Sequence, residues 1–208
     1  MSVAMFAKRR VWLVSAAAAV LLTAQAQASA DVMRFTYTGS GSGTLNGVAF
    51  GRSNFTITAF GDTAARQNWQ YDHTVWSIDH TWASISIAGQ GDFDFLTGTR
   101  TFVNGGSRQV GFSRAGIGGY DLFSNLNNAA FGTWDMLTPI GPFSGNMNLK
   151  QWSGYLPLIN TTGGILIFYD GSCNGAFHAE AVPEPATLGL VMAGLSALMI
   201  RRRTPRRW

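Results

Sequence analysis

The chain has 208 residues, 46% of them apolar and only 12% charged, with a formal net charge of +4 and a pI of about 9.6. Its one cysteine, Cys173, excludes an intramolecular disulfide framework. Eight of the fifteen Lys and Arg residues lie at the two ends, so residues 31–181 carry seven basic against ten acidic groups, a net charge of −3, and no nucleic-acid partner is expected.

Residues 1–30 have the three regions of a secretory signal helix. Lys8, Arg9 and Arg10 form the basic start, residues 11–22 the apolar stretch and residues 23–30 a small-residue end. Ala28 and Ala30 stand where a signal peptidase reads small side chains, which predicts cleavage before Asp31. About 150 residues then remain, enough for one domain with a single core.

That domain alternates with a period of two and shows hardly any helical periodicity. Residues 32–38 read as a half-buried strand, and the run Gly39-Ser40-Gly41-Ser42-Gly43 reads as its end. Asn46-Gly47 between Leu45 and Val48 predicts a tight hairpin, because both residues tolerate positive φ. A strand follows over 54–60, then a loop or one helical turn over 62–70. Over 75–88 the apolar parity changes between Ile78 and Ala83, which predicts a bulge or turn near residues 80–82. Further strands are expected at 93–96, 99–103, 109–113, 120–123, 164–169 and 176–182. Residues 131–158, with Pro139, Pro142 and Pro157, read as an irregular excursion over one edge. Many short strands joined by Gly, Asn and Ser turns predict an all-β fold, an antiparallel β-sandwich of jelly-roll or immunoglobulin-like form.

The tail changes character. Val182-Pro183-Glu184-Pro185 holds the chain extended, since proline fixes φ and restricts the residue before it. Residues 188–200 carry no charge, and Arg201, Arg202 and Arg203 follow as a membrane stop. With residues 186 and 187 the span reaches only roughly 22 Å, short for a bilayer, but arginines snorkel and a membrane can thin locally. A single transmembrane helix is expected. With basic residues at both ends held in the cytoplasm, residues 31–181 lie outside the inner membrane.

These tail residues resemble the PEP-CTERM sorting signal of exported proteins in Gram-negative bacteria that make exopolysaccharide. The resemblance covers residues 182–208. It implies recognition by a membrane protease-transpeptidase of the exosortase class, transient anchoring in the inner membrane, and a destination at the cell surface or beyond. The middle is loosely similar to the β-rich domains such proteins carry, at Gly41-Ser42-Gly43-Thr44-Leu45-Asn46-Gly47 and Gly61-Asp62-Thr63.

Signatures of catalysis are sparse. There is no Gly-x-Ser-x-Gly elbow, His-Glu-x-x-His pair, phosphate-binding loop or EF-hand loop. Asp72-His73 and Asp79-His80 repeat at a spacing of seven, which in a regular strand sends them to opposite faces. Asp92 and Asp94 share a face opposite Phe93 and Phe95, so the carboxylates are expected in solvent. Neither pair supplies the ligand count of a metal site. We therefore expect no catalytic residue, no metal and no cofactor. Trp69, Trp76, Trp82, Trp134 and Trp152 are candidate carbohydrate contacts, because an exposed indole stacks on sugar rings, and core filling is the competing role. The expected function is an exported envelope or matrix protein associated with exopolysaccharide or biofilm. A secreted polysaccharide hydrolase and a purely structural surface protein are the alternatives.

Overall fold

A computed structural model describes residues 32–69, 74–116, 121–125, 128–149, 158–169 and 173–182. Twelve strands are present among them: β1 Val32–Leu45, β2 Val48–Asp62, β3 Gln67–Asn68, β4 Val75–Ile87, β5 Gly91–Asp94, β6 Thr99–Asn104, β7 Gln109–Arg114, β8 Asp121–Asn125, β9 Ile140–Leu149, β10 Ile159–Thr161, β11 Gly164–Phe168 and β12 Cys173–Ala181. The only helical pieces described are single 3-10 turns at Thr63–Ala65 and Ala129–Gly132. The expected signal helix and transmembrane helix fall outside the described residues.

All pairings are antiparallel, and they join into one sheet that closes on itself. From β1 the path runs through β12, β9, β8, β7, β6, β4 and β2, and β2 pairs back with β1 from Val32↔Asp62 to Leu45↔Val48. A single curled sheet of this kind replaces the two stacked layers of the expected sandwich. Closure leaves few unpaired edges, which is how all-β proteins avoid adding foreign strands. One interior is filled by Phe35 and Tyr37 of β1, Ile57 of β2, Ile78 of β4, Val103 of β6, Phe112 of β7, Met147 of β9 and Phe177 of β12, all fully buried.

The glycine run does not end β1. The strand continues through it with a register shift between Gly41 and Gly43, and there it exchanges β12 for β11 as its outer neighbour. Glycine is needed for close approach. A Cβ on Gly41 would lie 2.8 Å from Leu149 Cδ1, and one on Gly43 would collide with the Ile167 carbonyl. Beyond this crossing a second apolar cluster forms, in which Phe168 packs 5.9 Å from Phe50 and 5.1 Å from Phe55. The turn at Asn46 and Gly47 has φ of 49° and 78°, the paired positive values of the expected hairpin.

Two further expectations are corrected or located. Residues 131–158 are not wholly an excursion, because β9 sits inside the sheet between β8 and β12. Pro142 is tolerated there since the β9–β12 ladder slips between Phe177 and Ala179, where no amide donor is demanded. Ahead of it, Phe131 and Trp134 plug one end of the interior, at 5.9 and 5.8 Å from Phe177. The parity change in β4 is a bulge: Phe60 pairs with Trp82 and Gly61 with His80, leaving Thr81 extra. Gly61 is obligatory at this point, because a Cβ would run into Ile78.

Candidate functional site

The bulge hands β4 two different faces. Before it, even-numbered residues point inward, and His80 enters the core beside Phe35 and Phe112, with ring centroids 5.7 and 5.3 Å away. His80 Nδ1 lies 2.9 Å from Thr99 Oγ1 and Nε2 lies 2.9 Å from Thr101 Oγ1. Tyr37 Oη is 2.9 Å from Thr101 Oγ1 and 3.0 Å from the Gly111 carbonyl oxygen. A carbonyl only accepts, so the single Tyr37 proton goes to Gly111, and Thr101 must donate to Tyr37. His80 Nε2–H then donates to Thr101, and Nδ1 accepts from Thr99. Every donor in this chain finds an acceptor with the ring neutral. Burial pushes the His80 pKa down to about 3 and the Tyr37 hydroxyl well above its usual range.

Asp79 does not accompany His80 inward. It lies on the outer face, paired in register with Arg100, while His73 is outside the described residues. His178 is on the surface of β12, with Nε2 3.5 Å from Glu180 Oε1, and Glu180 also accepts from Arg34 Nε at 2.6 Å. That hydrogen bond, above the charge effects, holds the Glu180 carboxyl below its ordinary range. Asp92 and Asp94 are exposed on β5, whereas Phe93 and Phe95 pack against the core. Among the described residues no three His, Cys, Asp or Glu side chains converge on one point.

The five tryptophans part company. Trp134 is 6% exposed and its Nε1 donates to the Thr138 carbonyl at 2.8 Å, so it is a core plug and not a sugar contact. Trp76 packs against the core with the Arg66 guanidinium 3.9 Å from its ring centroid. Trp152 is outside the described residues. Trp69 and Trp82 remain at the surface, 47% and 44% exposed. Trp82 rests on its cross-strand neighbour Phe60 at 5.6 Å. Trp69 is hydrogen-bonded beside Val75 at the start of β4, whereas Trp82 lies seven residues further along that strand, beyond the bulge.

Trp69 carries the richer surroundings. Its backbone N–H donates to the Val75 carbonyl at 3.0 Å, which sets the ring over β4 and β6. Arg100 is only 7% exposed, its guanidinium carbon 3.9 Å from the Trp69 ring centroid, and its Nε donates to Ser113 Oγ at 3.0 Å. Trp69, Val75, Ser77, Arg100, Phe102 and Ser113 line a pocket of about 120 Å³. Sequence reading missed Ser77, Arg100 and Ser113. The available signal was a lone Arg in the middle of the strand-like run Thr99-Arg100-Thr101-Phe102-Val103, on the parity opposite the core.

At the other end, β12 delivers the chain to its tail. Val182 N–H donates to the Val32 carbonyl at 3.0 Å, next to the pair Met33↔Ala181. The segment that precedes the domain and the segment that follows it therefore leave from neighbouring positions at the same end of the sheet. The family model of the PEP-CTERM protein-sorting motif matches residues 181–203. The chain carries a PEP-CTERM sorting motif. Val182, Pro183, Glu184 and Pro185 lie within this match, as do Arg201, Arg202 and Arg203. The PEP-CTERM motif marks the chain for export and for exosortase processing at a membrane-anchored C-terminus. No helix among the described residues is long and apolar enough to cross a membrane, and residues 188–200 lie outside them. No curated protein and no solved structure matches the chain.

Proposed function

We propose that this chain is an exported envelope or matrix protein whose β domain binds exopolysaccharide without performing chemistry on it. The observation that carries the reading is the PEP-CTERM motif joined directly to β12 of an antiparallel domain that holds Trp69 and Trp82 half exposed. An indole at the surface offers a sugar both an apolar face and a polar rim. In the sequence of events we envisage, the signal exports the chain and the apolar tail docks it in the inner membrane. The exosortase-type enzyme then reads Pro183-Glu184-Pro185, and the domain reaches the cell surface or matrix. Departure of both targeting segments from one end of the sheet supports this order, since the rest of the domain can then face away from the membrane.

The test incubates the full chain, purified in detergent, with exopolysaccharide of the producing bacterium, and scores co-sedimentation and new reducing ends together. Co-sedimentation without new ends is expected. New reducing ends would replace binding by hydrolysis, with Asp92 and Asp94 the first carboxylates to substitute. Neither signal would leave a structural surface protein.

A further inference from the structure

The geometry points to the outer-face pocket between Trp69 and Arg100 as a binding site for one edge of a neutral pyranose, gripped through two adjacent hydroxyls. The inference rests on the matrix-binding reading for its setting, but it concerns a site built by β4, β6 and β7 that the aromatic pattern alone does not reveal.

Three observations converge. First, the lining is amphiphilic in the way a sugar ring is. Val75, Phe102 and the Trp69 ring offer C–H and π surface, while Ser77, Ser113 and Arg100 offer polar atoms. Second, Ser77 is 1% exposed and its Oγ has no hydrogen-bond partner among the described residues. A hydroxyl left in this state costs stability, and an alanine would sit there without that cost. A ligand hydroxyl, which both donates and accepts, satisfies it. Third, the guanidinium is held ready by Ser113 on one side and the indole on the other, so a ligand finds its donors already oriented.

Charge and size choose among ligands. Asp79 is opposite Arg100 in the β4–β6 register, and its Oδ1 is buried with no hydrogen-bond partner among the described residues. That carboxylate, on the strand neighbouring Arg100, disfavours a free anion and leaves a neutral, hydrogen-bonding group preferred. The volume of about 120 Å³ is close to the roughly 150 Å³ that encloses a benzene-sized ring. An open pocket of this size takes one edge of a six-membered ring, with the remainder of the chain free to continue outside.

The test titrates the full chain in detergent micelles with methyl α-glucopyranoside, methyl α-galactopyranoside and methyl α-mannopyranoside, with glucuronate and acetate as separate arms. The indole N–H resonance of Trp69, identified by its loss in Trp69→Phe, is the readout. At least one neutral glycoside is expected to saturate, with a Kd on the order of 1 mM. Ser77→Ala is expected to weaken it about fivefold while leaving thermal stability unchanged or higher, and Trp69→Ala to weaken it by a similar factor. Arg100→Gln is expected to abolish it, and because Arg100 is buried, the Ser77 and Trp69 variants decide the matter if that variant does not fold.

Saturation by glucuronate or acetate alone would overturn the assignment in favour of an anion site. Absence of saturation by any neutral glycoside up to about 100 mM, or binding indifferent to both Ser77→Ala and Trp69→Ala, would overturn it outright. Because the readout uses monosaccharides, this outcome is separate from matrix binding. Polymer that still co-sediments when the pocket proves empty would move the polysaccharide contact to Trp82 and leave the broader reading intact.

Discussion

Strands β4, β6 and β7 carry one polar cluster on each face, the inner one completed by Tyr37 of β1 and the outer one by Trp69, and the two are built on opposite terms. Inside, His80, Thr99, Thr101 and Tyr37 form a chain of hydrogen bonds that ends on the Gly111 carbonyl. Outside, Ser77 has a buried hydroxyl oxygen with no hydrogen-bond partner among the described residues, beside a guanidinium that lines an open pocket. A buried network that satisfies all its members rigidifies a core. One left incomplete at a pocket persists only where something else completes it. The difference assigns the inner cluster to the fold and the outer one to recognition, and substitutions on the two faces should separate along that line.

The largest effect is expected in the apolar packing around the inner cluster. Phe112 is fully buried and touches Tyr37, His80 and Phe95 at centroid distances of 5.7, 5.3 and 5.2 Å. Phe112→Ala should cost about 3–5 kcal/mol, or roughly 2–4 °C in Tm for each kcal/mol at this size. Thermal melts of the full chain in detergent check it, and a loss below about 1 kcal/mol would mean that Tyr37, His80 and Phe95 do not enclose this ring.

His80 supplies the next effect through pH. Its pKa is lowered to about 3 by burial, against the ordinary value of 6.5. Between those values the unfolded chain binds a proton that the folded chain refuses, so stability rises with pH across this window. The contribution is complete above pH 6.5 and is lost progressively as pH falls toward 3. Its slope can reach about 1.4 kcal/mol per pH unit. Urea midpoints from pH 7.5 to 4.5 should fall for the native chain more steeply than for His80→Gln. Equal slopes would show that the ring reaches water in the folded state.

Tyr37→Phe comes third. It removes the donor to Gly111 and the acceptor for Thr101 while keeping the ring, which packs 4.8 Å from Phe177. A loss of about 1–3 kcal/mol is expected, the cost of leaving buried polar groups unsatisfied. A double-mutant cycle with Thr101→Val should show that the two losses are not additive, because both act on one chain of bonds.

How much of this was legible in the sequence follows the same division. Period-two alternation located the strands of the core, the Asn46-Gly47 pair fixed one hairpin, and the parity change in β4 revealed its bulge, because each is a local pattern. Closure of the sheet was not legible, since it depends on β1 pairing with three other strands, and its glycines read as a turn when they mark a crossing. Pro142 hid β9 for a similar reason: its compatibility depends on a slip in the partner strand. Tryptophan count did not reveal which rings are exposed. Trp134 and Trp69 have equal sequence credentials, and only packing against Phe131 and Phe177 buries one of them. The Ser77–Arg100–Ser113 cluster joins three strands, so no spacing could announce it. The sorting motif was legible because it is a local sequence pattern, and the family model matches it at residues 181–203.

The smallest expected effect is the sharpest discriminator between the two faces. Trp69→Ala should change stability by no more than about 0.5 kcal/mol, because the ring is 47% exposed and its cation–π contact with Arg100 is partly offset by solvation of the guanidinium. Ser77→Ala should be neutral or slightly stabilising, since it deletes a buried hydroxyl oxygen that has no described partner. Its nearest inner-face counterpart, Thr101→Val, deletes a hydroxyl that serves both His80 and Tyr37 and should be destabilising. Thermal melts of Ser77→Ala and Thr101→Val in parallel therefore carry the comparison in its simplest form, one hydroxyl removed from each face. If Ser77→Ala proved as damaging as Thr101→Val, the outer hydroxyl would already be doing structural work, and the case for a ligand there would go with it.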